Sequence, residues 1–336
     1  MKSVNIDEIG TLVADSKHIA ILQADNPDGD SLASALALEE ILGNLNLQPV
    51  MYCGVDIPKH LQHLSGWDRV QKELPKNIDL SIVVDCSAIS LFEIAVKRKE
   101  FSWVLTKPMI IIDHHEAEIT IPAQYAFINN QAVATGEIIY EISKYLNWPM
   151  SEHTNNMLAI SILSDSLGLM TDSTTAKSIR VIADLVESGV KLAQLDEARR
   201  QTLKKSAELT RYKGRLLQRI EYSHDQRVAH ITIPWDEIEK YSNEYNPSML
   251  VLEDMRLTEG TQVAIAFKTY DSGRVTAKIR CNYGFAVAGQ LAEFFGGGGH
   301  SYASGFKIDN CKDFEELKRT CVNKALELLD QNHEIV

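Results

Sequence analysis

The chain has 336 residues, 45% apolar and 24% charged, ordinary globular usage that excludes a disordered or fibrous protein. At about 150 residues per domain this length implies two domains, with ample chain to bury a core without disulfide or metal staples. Its 34 basic and 46 acidic residues give a net charge of −12, which argues against long polyanionic partners, because non-specific nucleic-acid binding requires many neutralised phosphates.

The N-terminal residues have no basic start followed by an apolar stretch, and no apolar run approaches the ~18 residues of a membrane span. Cys53, Cys86, Cys281, Cys311 and Cys321 have neither metal spacing nor the spacing of a disulfide framework. The expected location is therefore cytoplasmic, with no membrane contact. Through residue 190, short apolar runs alternate with helical stretches, the pattern of βαβ units. Strands are predicted at 19–22, 49–53, 80–84 and 109–112, the last two as continuous apolar runs of the kind covered on both sheet faces. Helices are predicted at 31–42, 136–146, 154–164 and 175–187. The composition then turns basic: Arg199, Arg200, Lys204, Lys205, Arg211, Lys213, Arg215 and Arg219 stand with Glu208 as the one acid between 199 and 219. That stretch is read as part of a helical linker, 191–218, between a first domain (1–190) and a second (219–336). In the second, a strand at 228–233, a hairpin of 263–267 with 275–279 around Asp271-Ser272-Gly273, a helix at 285–295 and a final helix are expected. Four glycines and a histidine, Gly296-Gly297-Gly298-Gly299-His300, follow the 285–295 helix.

Carboxylates follow closely on three of the apolar strands. Residues 19–22 lead to Asp25-Asn26-Pro27-Asp28-Gly29-Asp30, 80–84 to Asp85, and 109–112 to Asp113-His114-His115; Asp165 follows an apolar helix. In an open α/β sheet ligands collect at the carboxyl ends of strands, so these segments should converge. Taken alone, each has a plainer reading: Pro27-Asp28-Gly29 is turn chemistry, and a His-His pair after a strand can be an exposed turn. Together and in this order they point to a metal site. Clustered aspartates cannot all remain ionised uncompensated. Divalent cations resolve the conflict; oxygen ligands with an imidazole suit Mn²⁺, with Mg²⁺ as the alternative. A pair of such ions ~3.5–4 Å apart can activate a water and stabilise charge on a phosphoryl group, the chemistry of phosphoester hydrolysis.

The ordered set Asn26-Pro27-Asp28-Gly29-Asp30 with Ser34, Asp85, Asp113-His114-His115, Asp165 and the glycine–His300 run resembles the successive motifs of the DHH phosphoesterases over nearly the whole chain. The resemblance is nearest to the branch holding nano-RNases and phosphoadenosine-phosphate phosphatases. It implies a parallel-sheet DHH domain followed by a smaller α/β DHH-associated domain across a cleft. It also implies two Mn²⁺ ions, a homodimer, and hydrolysis of short oligoribonucleotides, linear dinucleotides or phosphoadenosine phosphate. By position, Asp85 bridges both metals. Asp30, His114 and Asp165 complete one site, and Asp28 belongs to the other. Asp113 orients His114, and His115 faces the scissile phosphate. The resemblance further assigns substrate binding to Gly297, Gly298, Gly299, His300 and Arg280. Lys278 shares a strand face with Arg280 at period two and could help to clamp a phosphate. One position departs from the pattern: Ala24 stands where the family has a histidine. Asp25 or Gln23 is the candidate replacement, and otherwise one ion is bound. A noncatalytic nucleotide-binding protein, a pyrophosphatase and a single-strand exonuclease remain the alternatives.

Overall fold

Continuous apolar runs become the central strands of a parallel sheet. The computed structural model describes residues 2–116 and 118–333, and the chain divides into two units, Met1–Lys204 and Lys205–Val336. In the first, β1 (Lys2–Ser3), β2 (His18–Leu22), β3 (Gln48–Tyr52), β4 (Leu80–Val84), β5 (Met109–Asp113) and β6 (Tyr125–Ile128) lie in the order β1-β6-β5-β4-β2-β3. Every pairing is parallel. Side-chain alternation divides the strands between two cores: Ile19, Ile21, Ile82, Val84, Ile110 and Ile112 face one way, and Ala20, Leu22, Val83 and Ile111 the other. Both faces are apolar because both are covered, which is why β4 and β5 are legible as unbroken runs.

The first core is closed by α2 (Gly29–Asn44), α5 (Thr135–Tyr145), α6 (Glu152–Asp165) and α7 (Ala176–Glu187), with α1 (Ile6–Ala14) contributing Ile9 and Val13. The other face is covered in part by the short helices α3 (Glu93–Lys97) and α4 (Phe101–Val104). Every residue of α2 from Gly29 to Leu38 is buried, so this helix has no polar stripe. Two glycines allow α6 to come close. A Cβ at Gly29 would collide with Ser164 Oγ, and one at Gly136 with Ser161 Oγ.

The second unit is also α/β. β7 (Glu221–Ser223), β8 (Val228–Ile233), β9 (Val263–Thr269), β10 (Val275–Cys281), β11 (Gly298–His300) and β12 (Ala303–Ile308) form a mixed sheet in the order β11-β12-β10-β9-β8-β7, parallel only between β8 and β9. Residues 191–218, expected as one helical linker, contain two helices that fall on either side of the division: α8 (Leu192–Thr202) and α9 (Ala207–Leu217). α9 buries Leu209, Tyr212 and Leu216 in the second unit's core, beside α10 (Trp235–Tyr241) and α11 (Leu252–Arg256). α12 (Ala288–Phe294) starts three residues later than expected, and α13 (Phe314–His333) packs Cys321, Ala325 and Leu329 on the other core. The glycine run is not a free loop: Gly298–His300 pairs with Ala303–Gly305 as an edge strand. Among the described residues no helix is long and apolar enough to cross a membrane.

Candidate metal centre

Strand ends and helix ends deliver the acidic side chains. Asp28 is the N-cap of α2, accepting from Ser31 N–H at 3.0 Å, and Asp30 occupies the first turn. Asp85 follows β4 with φ of +60°, a left-handed conformation uncommon outside glycine and found where a side chain must be re-aimed. Asp113 ends β5, with His114 and His115 next in the chain, and Asp165 is the last residue of α6.

Asp30 is fully enclosed and held from four directions. Its carboxylate accepts from Ser34 Oγ at 2.9 Å, from Ser161 Oγ, and from the Thr135 and Gly136 N–H groups at 2.7 and 3.4 Å. The last two belong to the first residues of α5, whose N–H groups have no intrahelical acceptor, a natural seat for an anion. Thr135 Oγ1 also donates to Asp85 Oδ1 at 3.0 Å. Thr135 and Ser161 thus fix two acidic groups, yet nothing in their sequence context marks them.

His114 Nε2 is buried and has no hydrogen-bond partner among the described residues, while Asp165 Oδ2, Asp85 Oδ1 and Asp30 Oδ2 lie 3.3, 3.5 and 3.7 Å from it. Two overlapping groups place one ligand atom per residue within 4.8 Å of one another: Asp30, His114 and Asp165, and Asp85, His114 and His115. Burial, and then repulsion from Asp30, Asp28 and Asp113, pushes the Asp85 carboxyl well above the usual carboxylate range. Asp165 is raised by burial and by Asp30. A cation would relieve both, and oxygen ligands around an imidazole form a donor set suited to a divalent ion. The residues present fit a metal.

Two expected roles change. Asp113 Oδ1 bonds His115, accepting from its backbone N–H at 3.1 Å and from Nδ1 at 2.7 Å, rather than orienting His114. The turn after β5 carries the second histidine, not the first, back over the strand end. The bond to Asp113 raises the His115 pKa, and although burial opposes it, the same contact holds Asp113 below its ordinary value. Asp25, the candidate replacement ligand, is turned elsewhere: its Oδ2 accepts from Ile94 N–H at 2.9 Å in the first turn of α3, and Asp25 joins neither acidic group. Ala24 packs in the apolar cluster with Tyr52, Cys86 and Phe92. Gln23 is fully buried, and neither atom of its amide has a hydrogen-bond partner among the described residues. Asp28 stands outside both three-residue groups, although its charge acts on Asp85 and Asp165.

In the second unit Thr276, Lys278 and Arg280 share one face of β10, opposite the buried Val275, Ala277 and Ile279. They line a cavity of about 970 Å³ together with Gly296–Gly299, His300, Lys268 and Lys307, and no carboxylate lines it among the described residues. Lys268 donates to Asn246 Oδ1 at 2.6 Å. Burial lowers the pKa of both Lys268 and Lys278, with Lys278 acting the same way on Lys268 and Arg280 on Lys278.

Residues 18–164 match the model of the DHH family, N-terminal domain, and that interval contains every group of the centre except Asp165. Residues 18–164 are thus similar to the N-terminal domain of the DHH family. An A-adding tRNA nucleotidyltransferase of Aquifex aeolicus is 24% identical over 294 residues, covering 86% of this chain but 33% of the relative, so this chain spans a third of that protein's length. The bifunctional oligoribonuclease and PAP phosphatase NrnA of Bacillus subtilis is 22% identical over 311 residues, 92% of this chain and 93% of the relative. Among solved structures, an exopolyphosphatase-related protein from Bacteroides fragilis superposes with a TM-score of 0.81 at 19% identity, covering 97% of each chain. That likeness shows the fold. Within the matched interval, and with Asp165 just beyond it, the aspartates and His114 form a candidate metal centre.

Proposed function

We propose that this protein is a Mn²⁺-dependent DHH phosphoesterase that hydrolyses short oligoribonucleotides, linear dinucleotides or phosphoadenosine phosphate. The observation that carries the reading is His114 Nε2, buried without a hydrogen-bond partner among the described residues and ringed by oxygens of Asp30, Asp85 and Asp165. Asp30, Asp85, His114 and Asp165 would hold one ion, and Asp28 with Asp85 a second. Bound there, divalent metal supplies Lewis acidity and a lowered pKa for an attacking water. The protein's own groups do the rest. The Ser34, Ser161, Thr135 and Gly136 donors fix Asp30 before any ligand arrives. His115, half exposed and tied to Asp113 through Nδ1, would present Nε2 to a phosphate oxygen as donor or proton carrier. In the second unit Arg280, Lys278, Gly297, Gly298, Gly299 and His300 would grip a substrate phosphate, the guanidinium making the strongest contact.

The full-length coverage of the NrnA relative favours short nucleotides over pyrophosphate. The second reading is a one-metal or noncatalytic nucleotide-binding protein, favoured by Ala24 in its apolar cluster and by Asp25 on Ile94. Hydrolysis of a dinucleotide and of phosphoadenosine phosphate by chelated protein, with and without added Mn²⁺, separates the two. The proposal expects turnover only with metal. Nucleotide binding without hydrolysis in any divalent ion supports the second reading instead.

A further inference from the structure

A groove of about 700 Å³ in the first unit lies between residues 60–64, α6 and α8. Asp28, assigned above to a second ion, lines one end with Gly29 and Ser164, which adjoin Asp30 and Asp165 in the chain. Leu64, Ile160, Leu163 and Leu195 line it with apolar side chains. That volume and that mixture, apolar walls with a few polar groups, are those of a small-molecule site.

Two further features bear on the occupant. Immediately beyond Asp165, Leu167, Gly168 and Leu169 have φ of +50°, +75° and +71°. Leucine rarely adopts that conformation, yet here it leaves Leu167, which lines the groove, 74% exposed. Leu167, two residues beyond Asp165, thus presents an exposed apolar side chain at the groove. The second feature is His63. Its Nδ1 lies 2.9 Å from the His60 carbonyl, which can only accept, so Nδ1 carries the proton and Nε2 is left as an acceptor. Burial lowers the His63 pKa and favours the neutral ring, although the His60 contact opposes it. Thr202 Oγ1 donates to the same carbonyl at 3.3 Å and ties α8 to this turn.

We propose that this groove is the nucleobase subsite: a nucleotide whose phosphate stands at the metal centre lays its base between the leucines, with a base N–H donating to His63 Nε2. The inference rests on the phosphoester reading above, and it predicts preference for a base that carries an amino group. Neither His60 nor His63 stands out in the sequence.

Calorimetric binding to the full, Mn²⁺-loaded chain tests it, with AMP, purine riboside 5′-phosphate (AMP without its amino group) and ribose 5-phosphate as ligands. AMP should bind at least about tenfold more tightly than ribose 5-phosphate, the gain from burying a base face, with purine riboside 5′-phosphate between them. Leu195→Trp, which fills the groove, should reduce the AMP advantage to nearly none, and His63→Leu should erase only the gap between AMP and its deaminated analogue. Should Leu195→Trp fail to fold, Leu195→Ser serves instead and should shrink the AMP advantage severalfold. Equal wild-type affinity for AMP and ribose 5-phosphate, or an undiminished preference in the folded Leu195 variant, overturns the assignment. Dinucleotide hydrolysis by the wild type is followed in parallel. Its absence with the AMP preference intact contradicts the phosphoester reading and spares the groove; hydrolysis with no preference contradicts the groove alone.

Discussion

Three carboxylate oxygens face one bare imidazole nitrogen at His114, an arrangement that is unfavourable without a cation. The pH dependence of the chelated protein should register this. Asp85 and Asp165 hold protons more tightly in the native state than in the unfolded chain. Their contribution to stability is therefore complete below about pH 4 and is lost as pH rises through the raised native values. Melting curves in chelator should show that loss, and Mn²⁺ should raise the melting temperature progressively more over the same range. Chelated Asp85→Asn should melt above chelated wild type at neutral pH, because it removes a charge that only metal balances; a lower melting temperature would contradict the account. At His115 the sign is likewise fixed. Asp113→Asn removes the partner that raises its pKa, so the alkaline limb of the activity profile should move to lower pH. An unmoved limb would take His115 out of the proton chemistry. The sequence order Asp-His-His displays these residues but not their pairing, since which histidine reaches Asp113 depends on the turn after β5.

At the scale of elements, α2, α5 and α6 are the frame of the site, and two glycines set how close they come. Gly136→Ala should destabilise the protein by about 1–3 kcal/mol in urea unfolding, because its Cβ must displace Ser161 from Asp30. Gly43, in the same α2 as Gly29, has open space around it, and Gly43→Ala should instead stabilise by about 0.5–1 kcal/mol. Equal effects would mean that the α5–α6 approach is not tight. The strands β4 and β5 were plain in the sequence because both their faces are buried and four of the five residues in each are apolar, with Ser81 and Asp113 the exceptions. The two-residue β1 and the edge strand β11 were not, since a short edge carries no periodic signal and glycines carry no hydropathy. Composition marked α9 as part of a helical linker and hid its place in the second unit's core, although Leu209, Tyr212 and Leu216 recur at helical spacing among the basic residues.

Over the whole molecule, acidic and basic chemistry are kept in separate units. The chain carries −12 overall, yet the cavity in Lys205–Val336 is lined by Lys268, Lys278, Arg280 and Lys307, with no carboxylate among the described residues. The sequence placed Lys278 and Arg280 on one face correctly, from period two alone; that Lys268 joins them depends on the β9–β10 pairing, which sets Thr276 opposite Lys268. Variants should sort by unit. Arg280→Ala should raise the KM for a dinucleotide by roughly tenfold or more, the loss of a charge-assisted phosphate contact, while Mn²⁺ affinity stays unchanged. The most direct measurement is a calorimetric Mn²⁺ titration of chelator-stripped wild type and Asp85→Asn, paired with dinucleotide hydrolysis at each metal concentration. Saturable binding in the wild type, weakened severely by Asp85→Asn and lost together with turnover, is the predicted result. Turnover by the wild type in excess chelator, or Mn²⁺ bound equally well by Asp85→Asn, would contradict it.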